Sequence, residues 1–164
     1  MTDVLTNQAL VVVVSDLASG ERHLKKMVRE LEKISKVKTI SSVYKKNHHH
    51  QYDSLNSQLW VALRVETDDD PRPFYQKLRQ IGDGGTQYSR GQVQLLVFNS
   101  LIQLDPAMPL PHPLLQSEKV ALKCAAEAWG QYEHPILGQT LNELVMSYPD
   151  PESLEFYFQG AQLF

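Results

Sequence analysis

The chain has 164 residues, of which 42% are hydrophobic and 21% are charged, the composition of a single soluble globular domain. Its formal net charge is −3 and it has no block of basic residues, which argues against a nucleic-acid-binding protein. The apolar run near the N-terminus is too short to span a membrane and has no basic residues before it. We therefore expect a cytoplasmic protein with no signal peptide and no membrane partner.

Strand and helix patterns alternate through the first half of the chain. Residues 9–14 form a continuous, mostly β-branched run, typical of a strand that is buried on both faces. Residues 20–35 carry apolar side chains at helical spacing, with lysine and glutamate on the opposite side. The predicted elements are a strand at 9–14, a helix at 20–35, strands at 37–44 and 58–66, a helix at 71–81 and a strand at 92–98.

This order predicts an α+β fold of the ferredoxin-like type (βαββαβ), in which two helices pack on one face of an antiparallel sheet. The sequence then predicts a short strand-like run at 101–104 and an extended, proline-rich connector at 106–113. Two more helices are predicted at 118–129 and at Leu141–Met146. The only cysteine, Cys124, cannot form an internal disulfide, so we expect it to be a small buried side chain.

The C-terminal end of the chain is aromatic. Residues 148–164 have neither helical nor strict strand periodicity, and we separate them as a tail from a domain at 1–147. From Glu155 to Phe164 the tail carries five large apolar side chains, too many to leave in water. The tail therefore either folds back on the domain or binds a partner, which includes self-association with a second copy of the chain.

Two neutral amides lie in the predicted strand at 92–98. Gln92 and Gln94 are two residues apart, so their side chains point to the same face of the sheet. Amides near a core need partners for all their donors and acceptors. The two glutamines either lie at a wetted end of the strand or occupy the position of a former site.

Five segments, taken in chain order, point to a known family. They are VVVVSDLASGERHL in the first strand and helix, SSVY at 41–44, DSLNSQLWVAL at 53–63, PLPHPLL at 109–115 and EAWGQYEHPILGQTLNEL before the tail. Together they resemble the 6-hydroxymethyl-7,8-dihydropterin pyrophosphokinase (HPPK) family of folate biosynthesis. The resemblance covers about residues 8–146 in unbroken order.

The resemblance implies a ferredoxin-like fold and a transferase that moves pyrophosphate from ATP to the pterin hydroxymethyl group. In that family two aspartates of the fourth strand hold two Mg²⁺ ions, and their positions fall on Gln92 and Gln94 here. Mg²⁺ prefers anionic oxygen ligands in octahedral geometry. We therefore expect the metal site to be lost or strongly weakened and no cofactor to be bound. ATP and Mg²⁺ would be needed only by a chain that is still active.

The family also directs arginines at the triphosphate, from the loop before this strand and from just after the Pro-His-Pro segment. In this chain the loop at 83–89 has no lysine or arginine, and the second position falls on Glu118, with Lys119 beside it. His112 matches the family's histidine on the nucleotide side. By this resemblance His112, Lys119 and Arg90 are the candidate nucleotide-binding residues.

On the pterin side, two aromatic rings that sandwich the pterin in the family fall on Ser54 and Val120 here. A stacked aromatic pair contributes about 0.5–1.5 kcal/mol beyond its burial, so pterin affinity should fall. Asn56 stands where the family's asparagine hydrogen-bonds the pterin edge, and it is the candidate substrate-binding residue. Its alternative role is that of a polar residue at the start of a strand.

These replacements predict an HPPK-like protein that is inactive or strongly impaired in pyrophosphate transfer. A pterin or a nucleotide remains a candidate ligand. The alternative is a non-catalytic binding or interaction protein that uses the retained cleft or the aromatic tail.

Two further polar clusters have both a functional and a structural interpretation. His48, His49 and His50 could bind a transition metal, but three consecutive residues do not easily converge on one ion, which favours a solvated loop. Glu66 and the aspartates at 68–70 could attract Mg²⁺. An acidic run before a proline-started helix is also what helix capping and the helix dipole favour.

Overall fold

The central strand of the sheet, β1 (Asn7–Asp16), is apolar and almost entirely buried. It pairs antiparallel with β4 (Gln58–Thr67) on one side and with β5 (Gly91–Phe98) on the other. A strand with neighbours on both sides and cover on both faces needs apolar side chains throughout, which explains the unbroken run at 9–14. The structure, a computed structural model, describes residues 6–16, 20–47, 57–83, 91–148 and 154–164, and for residues 82 and 83 the backbone alone.

Over the described residues the sheet has six antiparallel strands. The three further strands are β2 (Lys36–Ile40), β3 (Val43–Lys46) and β6 (Leu154–Phe158). The strand order is β5-β1-β4-β3-β6, and β2 pairs with β4 beyond the end of β3.

Helices cover both faces of this sheet. They are α1 (Gly20–Ile34), α2 (Pro71–Asp83), α3 (Leu114–Ser117), α4 (Lys119–Trp129) and α5 (Leu141–Met146). The first two pack on one face, where Leu31 and Phe74 join a buried cluster with Val11. The last three pack on the other face, where Leu115 and Val120 join a second cluster. The fold therefore has three layers, and β1 contributes alternate side chains to both cores.

The α+β fold and the ferredoxin-like strand and helix order predicted from the sequence are confirmed. The helix predicted at Leu141–Met146 has these bounds in the structure, and its N-terminus is closed by a capping box between Thr140 and Glu143. Cys124 is buried, and burial raises the pKa of its thiol well above the ordinary value. None of the helices in the described residues is long and apolar enough to cross a membrane.

Two local predictions are corrected. The strand predicted at 37–44 is interrupted at Ser41, whose backbone N–H donates to the carbonyl of Ala62 and whose hydroxyl accepts from the N–H of Ala62, both at 2.9 Å. The next backbone N–H, that of Ser42, donates to Glu127 of α4 at 3.0 Å, so it is not available for a continuous ladder. Residues 101–104 do not form a strand but make a single bridge between Gln103 and Leu110.

The C-terminal segment folds back on the domain. β6 pairs with β3, and it is followed by a 3₁₀ turn (Gly160–Leu163) whose Leu163 is buried in the core on the α1 face. Residues 154–164 carry no clear periodicity, yet 154–158 are a strand of the same sheet and the turn after them packs on the core. One of the two alternatives for the tail, packing on its own domain, is what the structure shows for these residues.

The close approach of Gly160 to the β2–β3 link yields a stability prediction. A Cβ at this position would overlap the carbonyl oxygen of Ser41 and lie 2.8 Å from Cγ1 of Ile40. Gly160→Ala should therefore lower the free energy of unfolding by about 1–3 kcal/mol, the usual cost of overpacking. Chemical denaturation measures this, with Ala161→Ser, at an exposed position of the same turn, as the control. Equal stability of the two variants would contradict the tight packing of this turn.

Candidate functional site

The candidate site lies on the α4 face of the sheet, near the beginning of α4. The strand register places Gln92 beside Val14, Val14 beside Trp60, and Trp60 beside Tyr44. Residues directly opposite each other in antiparallel strands point to the same face. Val14, Trp60 and Tyr44 are buried in the cluster under α4. These four residues form a row across the sheet that begins at the polar Gln92 of β5 and ends at two buried aromatic side chains.

The two glutamines bind each other. The Nε2 amide of Gln94 donates to Oε1 of Gln92 at 2.9 Å, and Gln92 is exposed while Gln94 is half-buried. The interaction satisfies one donor and one acceptor within the pair. The two side chains thus lie together at a partly wetted end of β5, as their spacing predicts.

These residues do not fit a divalent magnesium ion. The ion favours anionic oxygens, whereas both amides are neutral and Oε1 of Gln92 already accepts a hydrogen bond from its neighbour. In the described part of the chain no group of three or more histidine, cysteine, aspartate or glutamate side chains could hold a metal ion. Gln92 and Gln94 therefore offer Mg²⁺ weaker ligands than two carboxylates would.

His112 is attached to β5 next to the glutamines. Its backbone N–H donates to the carbonyl of Leu96 at 2.8 Å, and its Nδ1 accepts from the N–H of Leu114 at 3.0 Å. Burial lowers the pKa of His112, which favours the neutral imidazole. With Nδ1 as acceptor, the proton of the neutral ring lies on Nε2, which can donate to an anionic or carbonyl group of a ligand.

An ion pair joins the end of β3 to the start of α4. Nζ of Lys46 lies 2.6 Å from Oε2 of Glu118, and the same ammonium group lies 5.9 Å from the ring centroid of Trp60. Oε1 of Glu118 accepts from the N–H of Val120 at 3.4 Å and caps α4. Glu118 therefore stabilises the helix start and neutralises Lys46 at the same time.

Lys119 and Val120 have opposite environments. Lys119 is exposed, with Nζ 6.0 Å from the ring centroid of Tyr148, whereas Val120 is fully buried in the core. Position 120, to which the resemblance assigns an aromatic ligand contact, is occupied by a buried aliphatic side chain. Lys119 has an exposed cation at the start of α4, without the two-pronged geometry of an arginine.

Several residues singled out in the sequence lie outside the described residues. These are His48, His49, His50, Ser54, Asn56 and Arg90. The structure thus brings together Gln92, Gln94 and His112 along β5, and it places Lys119 at the start of α4.

Lys46 is the site residue that the sequence analysis missed. It ends a short strand as the second of two consecutive lysines, which alone indicates only a solvated strand end. Its partner, Glu118, is far away in the sequence, and the two charges meet because α4 packs on the face of the sheet beside β3 and β4.

The acidic residues before α2 have their own partners. Asp69 accepts from Nζ of Lys77 at 2.7 Å, and the backbone carbonyl of Asp70 accepts from Phe74 in the first turn of the helix. A hydrogen bond from Gln8, with nearby lysines, lowers the pKa of Glu66. These contacts accord with a capping role.

Comparison with known proteins identifies the class of fold. No protein-family model matches the sequence, and no curated protein matches it. Solved structures do match, and they define an HPPK-like α+β fold for this chain.

Among the matched structures are HPPK-DHPS chains of Plasmodium falciparum. The wild-type protein with pterin and p-hydroxybenzoate matches with a TM-score of 0.74 and 12% identity, over 92% of this chain and 46% of that one. A variant with SDX-DHP matches with a TM-score of 0.74 and 12% identity, over 92% of this chain and 49% of that one. A triple mutant with SDX-DHP matches with a TM-score of 0.71 and 14% identity, over 87% of this chain and 44% of that one. The chain thus spans about half the length of these proteins. At such low identity the likeness shows the fold alone.

Removal of the Glu118 side chain tests the link between β3 and α4. Glu118→Ala should lower the free energy of unfolding by about 1–2 kcal/mol, because the helix cap is lost and Lys46 is left half-buried without its partner. Glu133→Ala, which removes an exposed glutamate, is the control in the same denaturation experiment. Unchanged stability of Glu118→Ala would show that the cap and the ion pair contribute nothing.

The lowered pKa of His112 predicts acid sensitivity. Because the unfolded chain holds this proton more tightly than the folded one, the free energy of unfolding should fall as the pH drops below about 6.5. His112→Asn keeps an acceptor for the N–H of Leu114 but does not titrate, so it should reduce this pH slope. The buried His134, whose pKa is lowered in the same way, should leave a residual slope. Denaturation between pH 5 and pH 8 measures the pH dependence of the free energy of unfolding for the wild type and for His112→Asn. An equal slope in the two proteins would refute the role of His112.

Proposed function

We propose that this pyrophosphokinase-like domain has lost Mg²⁺-dependent pyrophosphate transfer, or retains it only in strongly impaired form. The observation that carries this proposal is the hydrogen bond between Gln94 and Gln92 at the two positions that the resemblance assigns to metal-binding aspartates. Two amides that satisfy each other do not need a cation between them. The pair is a stable neutral arrangement where the reaction needs two negative charges.

Because phosphoryl transfer depends on charge, amides at the two carboxylate positions should lower its rate strongly. The reaction depends on positioning and on neutralising the charge of the phosphates, for which metal ions and cationic side chains are the usual means. The loss of one preorganised stabilising contact typically lowers the rate about 10²–10³-fold. Here both carboxylates that would recruit the metal ions are replaced, so the expected loss is larger than for a single contact.

Glu118 adds a second obstacle. The resemblance assigns an arginine near this position, but a carboxylate is present and it neutralises Lys46 at 2.6 Å. A polyphosphate that approaches the start of α4 would meet a carboxylate and a lysine that is already paired. Among the described residues, Lys119 offers an exposed cation at the start of α4.

The alternative, a non-catalytic binding or interaction protein, is favoured by the way in which the polar groups of the cleft are paired internally. Gln92 with Gln94, and Lys46 with Glu118, each form a closed pair. His112 retains a donor on Nε2, and the ring of Trp60 lies in the buried cluster under α4. Such a cleft suits a heteroaromatic ligand with few charges, a pterin among them, better than a magnesium–nucleotide complex.

Calorimetry and a turnover assay test the proposal. The wild-type protein, titrated with a non-hydrolysable ATP analogue and Mg²⁺ with and without 6-hydroxymethyl-7,8-dihydropterin, should show no magnesium-dependent binding. Gln92→Asp/Gln94→Asp should gain magnesium-dependent nucleotide binding of at least about tenfold, because two adjacent carboxylates restore anionic ligands for the ion.

Gln80→Asp/Gln162→Asp is the matched control, since it adds the same two charges at exposed positions elsewhere. It should behave as the wild type. Micromolar, magnesium-dependent binding by the wild-type protein, together with transfer of pyrophosphate to the pterin, would overturn the proposal.

A further inference from the structure

The sheet has three outer strand edges, on β5, β2 and β6, and two of them carry protection. At β5, the carbonyl of Leu96 accepts a hydrogen bond from the backbone of His112, so the connector covers part of that edge. β2 has exposed Lys36 and Lys38. Lysines are one device by which natural proteins prevent strand edges from pairing with other chains.

The edge of β6 lacks these side chains. Between Leu154 and Phe158 there is no lysine, arginine or proline, and no described strand lies on the outer side of β6. Phe156 is 56% exposed and Tyr157 is 41% exposed. The single charge, on Glu155, lies directly opposite Lys45 of β3 in the same chain. An open edge with exposed aromatic rings and little net charge is the kind of strand that pairs with another strand.

We propose that β6 pairs with β6 of a second copy of this chain, antiparallel, with Phe156 on the two-fold axis. This inference is independent of the proposed function. It specifies the interaction surface as the outer edge of β6 and the partner as an identical chain.

Self-pairing is favoured over another partner because the strand is complementary to itself in this register. Around a two-fold axis at Phe156, Leu154 faces Phe158 and Glu155 faces Tyr157 of the other copy. The two Glu155 carboxylates do not face each other, so the register avoids the like-charge pair that destabilises cross-strand contacts. Phe156 faces Phe156, which adds an aromatic pair at the centre of the interface.

The expected dimer is weak. Tyr157 is the extra residue where the register of β6 shifts against β3, and such a bulge increases the local twist and shortens the length over which a second strand can pair. A stable interface commonly buries about 800 Å² per partner, more than a strand of this length provides. We therefore expect association that depends on concentration.

The interface would lie beside the candidate site. The rings of Phe156 and Tyr44 make an edge-to-face contact, with their centroids 6.2 Å apart. Tyr44 in turn lies directly opposite Trp60 of β4. Dimerisation would thus hold Phe156 in place against Tyr44.

Sedimentation velocity over about 1–200 μM tests the proposal, a range set by the weak interface expected from its small area. The wild-type protein should shift from monomer toward dimer and no further, because a two-fold interface closes on itself. Phe156→Lys places a lysine on the edge and should abolish the shift, while Leu104→Lys, at an 83% exposed position after β5, should leave it unchanged. Circular dichroism confirms that both variants are folded.

Cross-linking provides a second measurement that does not depend on the lysine variant. Across a two-fold axis, paired antiparallel Cα atoms lie about 4.5–5.5 Å apart, within the range of a disulfide. Phe156→Cys should therefore form a disulfide-linked dimer on mild oxidation, whereas Leu104→Cys should not, and the native Cys124 is buried. A wild-type protein that stays monomeric, a dimer that persists in Phe156→Lys, growth beyond a dimer, or equal cross-linking of both cysteine variants would each overturn the proposal.

Discussion

The structure depends on the pairing of β1 with β4. The two strands are joined through ten consecutive residue pairs, from Asn7 opposite Thr67 to Asp16 opposite Gln58, and most of their side chains are buried. Because alternate residues of both strands point to opposite faces, each face carries an apolar stripe that a helix layer must cover. α1 and α2 cover one stripe and α4 covers the other. This pairing therefore determines where the site lies, since the start of α4 can only meet the sheet at the Gln58 end.

At that end several polar groups have partners within the chain. A buried or half-buried polar group without a partner costs about 1–3 kcal/mol, so a site that has lost its ligands must either rearrange or be destabilised. The hydrogen bond between Gln92 and Gln94 and the ion pair between Lys46 and Glu118 provide such partners. Under the proposed function, the same groups would have to remain available in a metal-dependent transferase.

The sequence predicts the elements whose periodicity is regular. The strand at 9–14 and the helix at 20–35 have patterns that burial alone explains, and the spacing of Gln92 and Gln94 already places them on one face. β6 is not predictable in this way, because the extra residue at Tyr157 breaks the alternation and puts aromatic residues side by side. The pair of Lys46 and Glu118 is not predictable either, since it depends on the packing of α4 on the sheet and not on local sequence. Asn56 and Arg90 lie outside the described residues, so their roles stay predictions.

One row of side chains connects these observations across the whole sheet. It runs from Gln92 on β5 through Val14, Trp60 and Tyr44 to Phe156 on β6, each residue directly opposite the next. The row is polar at its first member, where the resemblance assigns the metal ligands, and exposed and aromatic at its last. Phe156 of β6 contacts the ring of Tyr44, which is itself part of this row. The C-terminal strand therefore contributes to the surroundings of the candidate site as well as to the sheet. The row thus joins the neutral amide of Gln92 at one end to an exposed aromatic ring on the edge strand β6 at the other, and the two proposals concern its two ends.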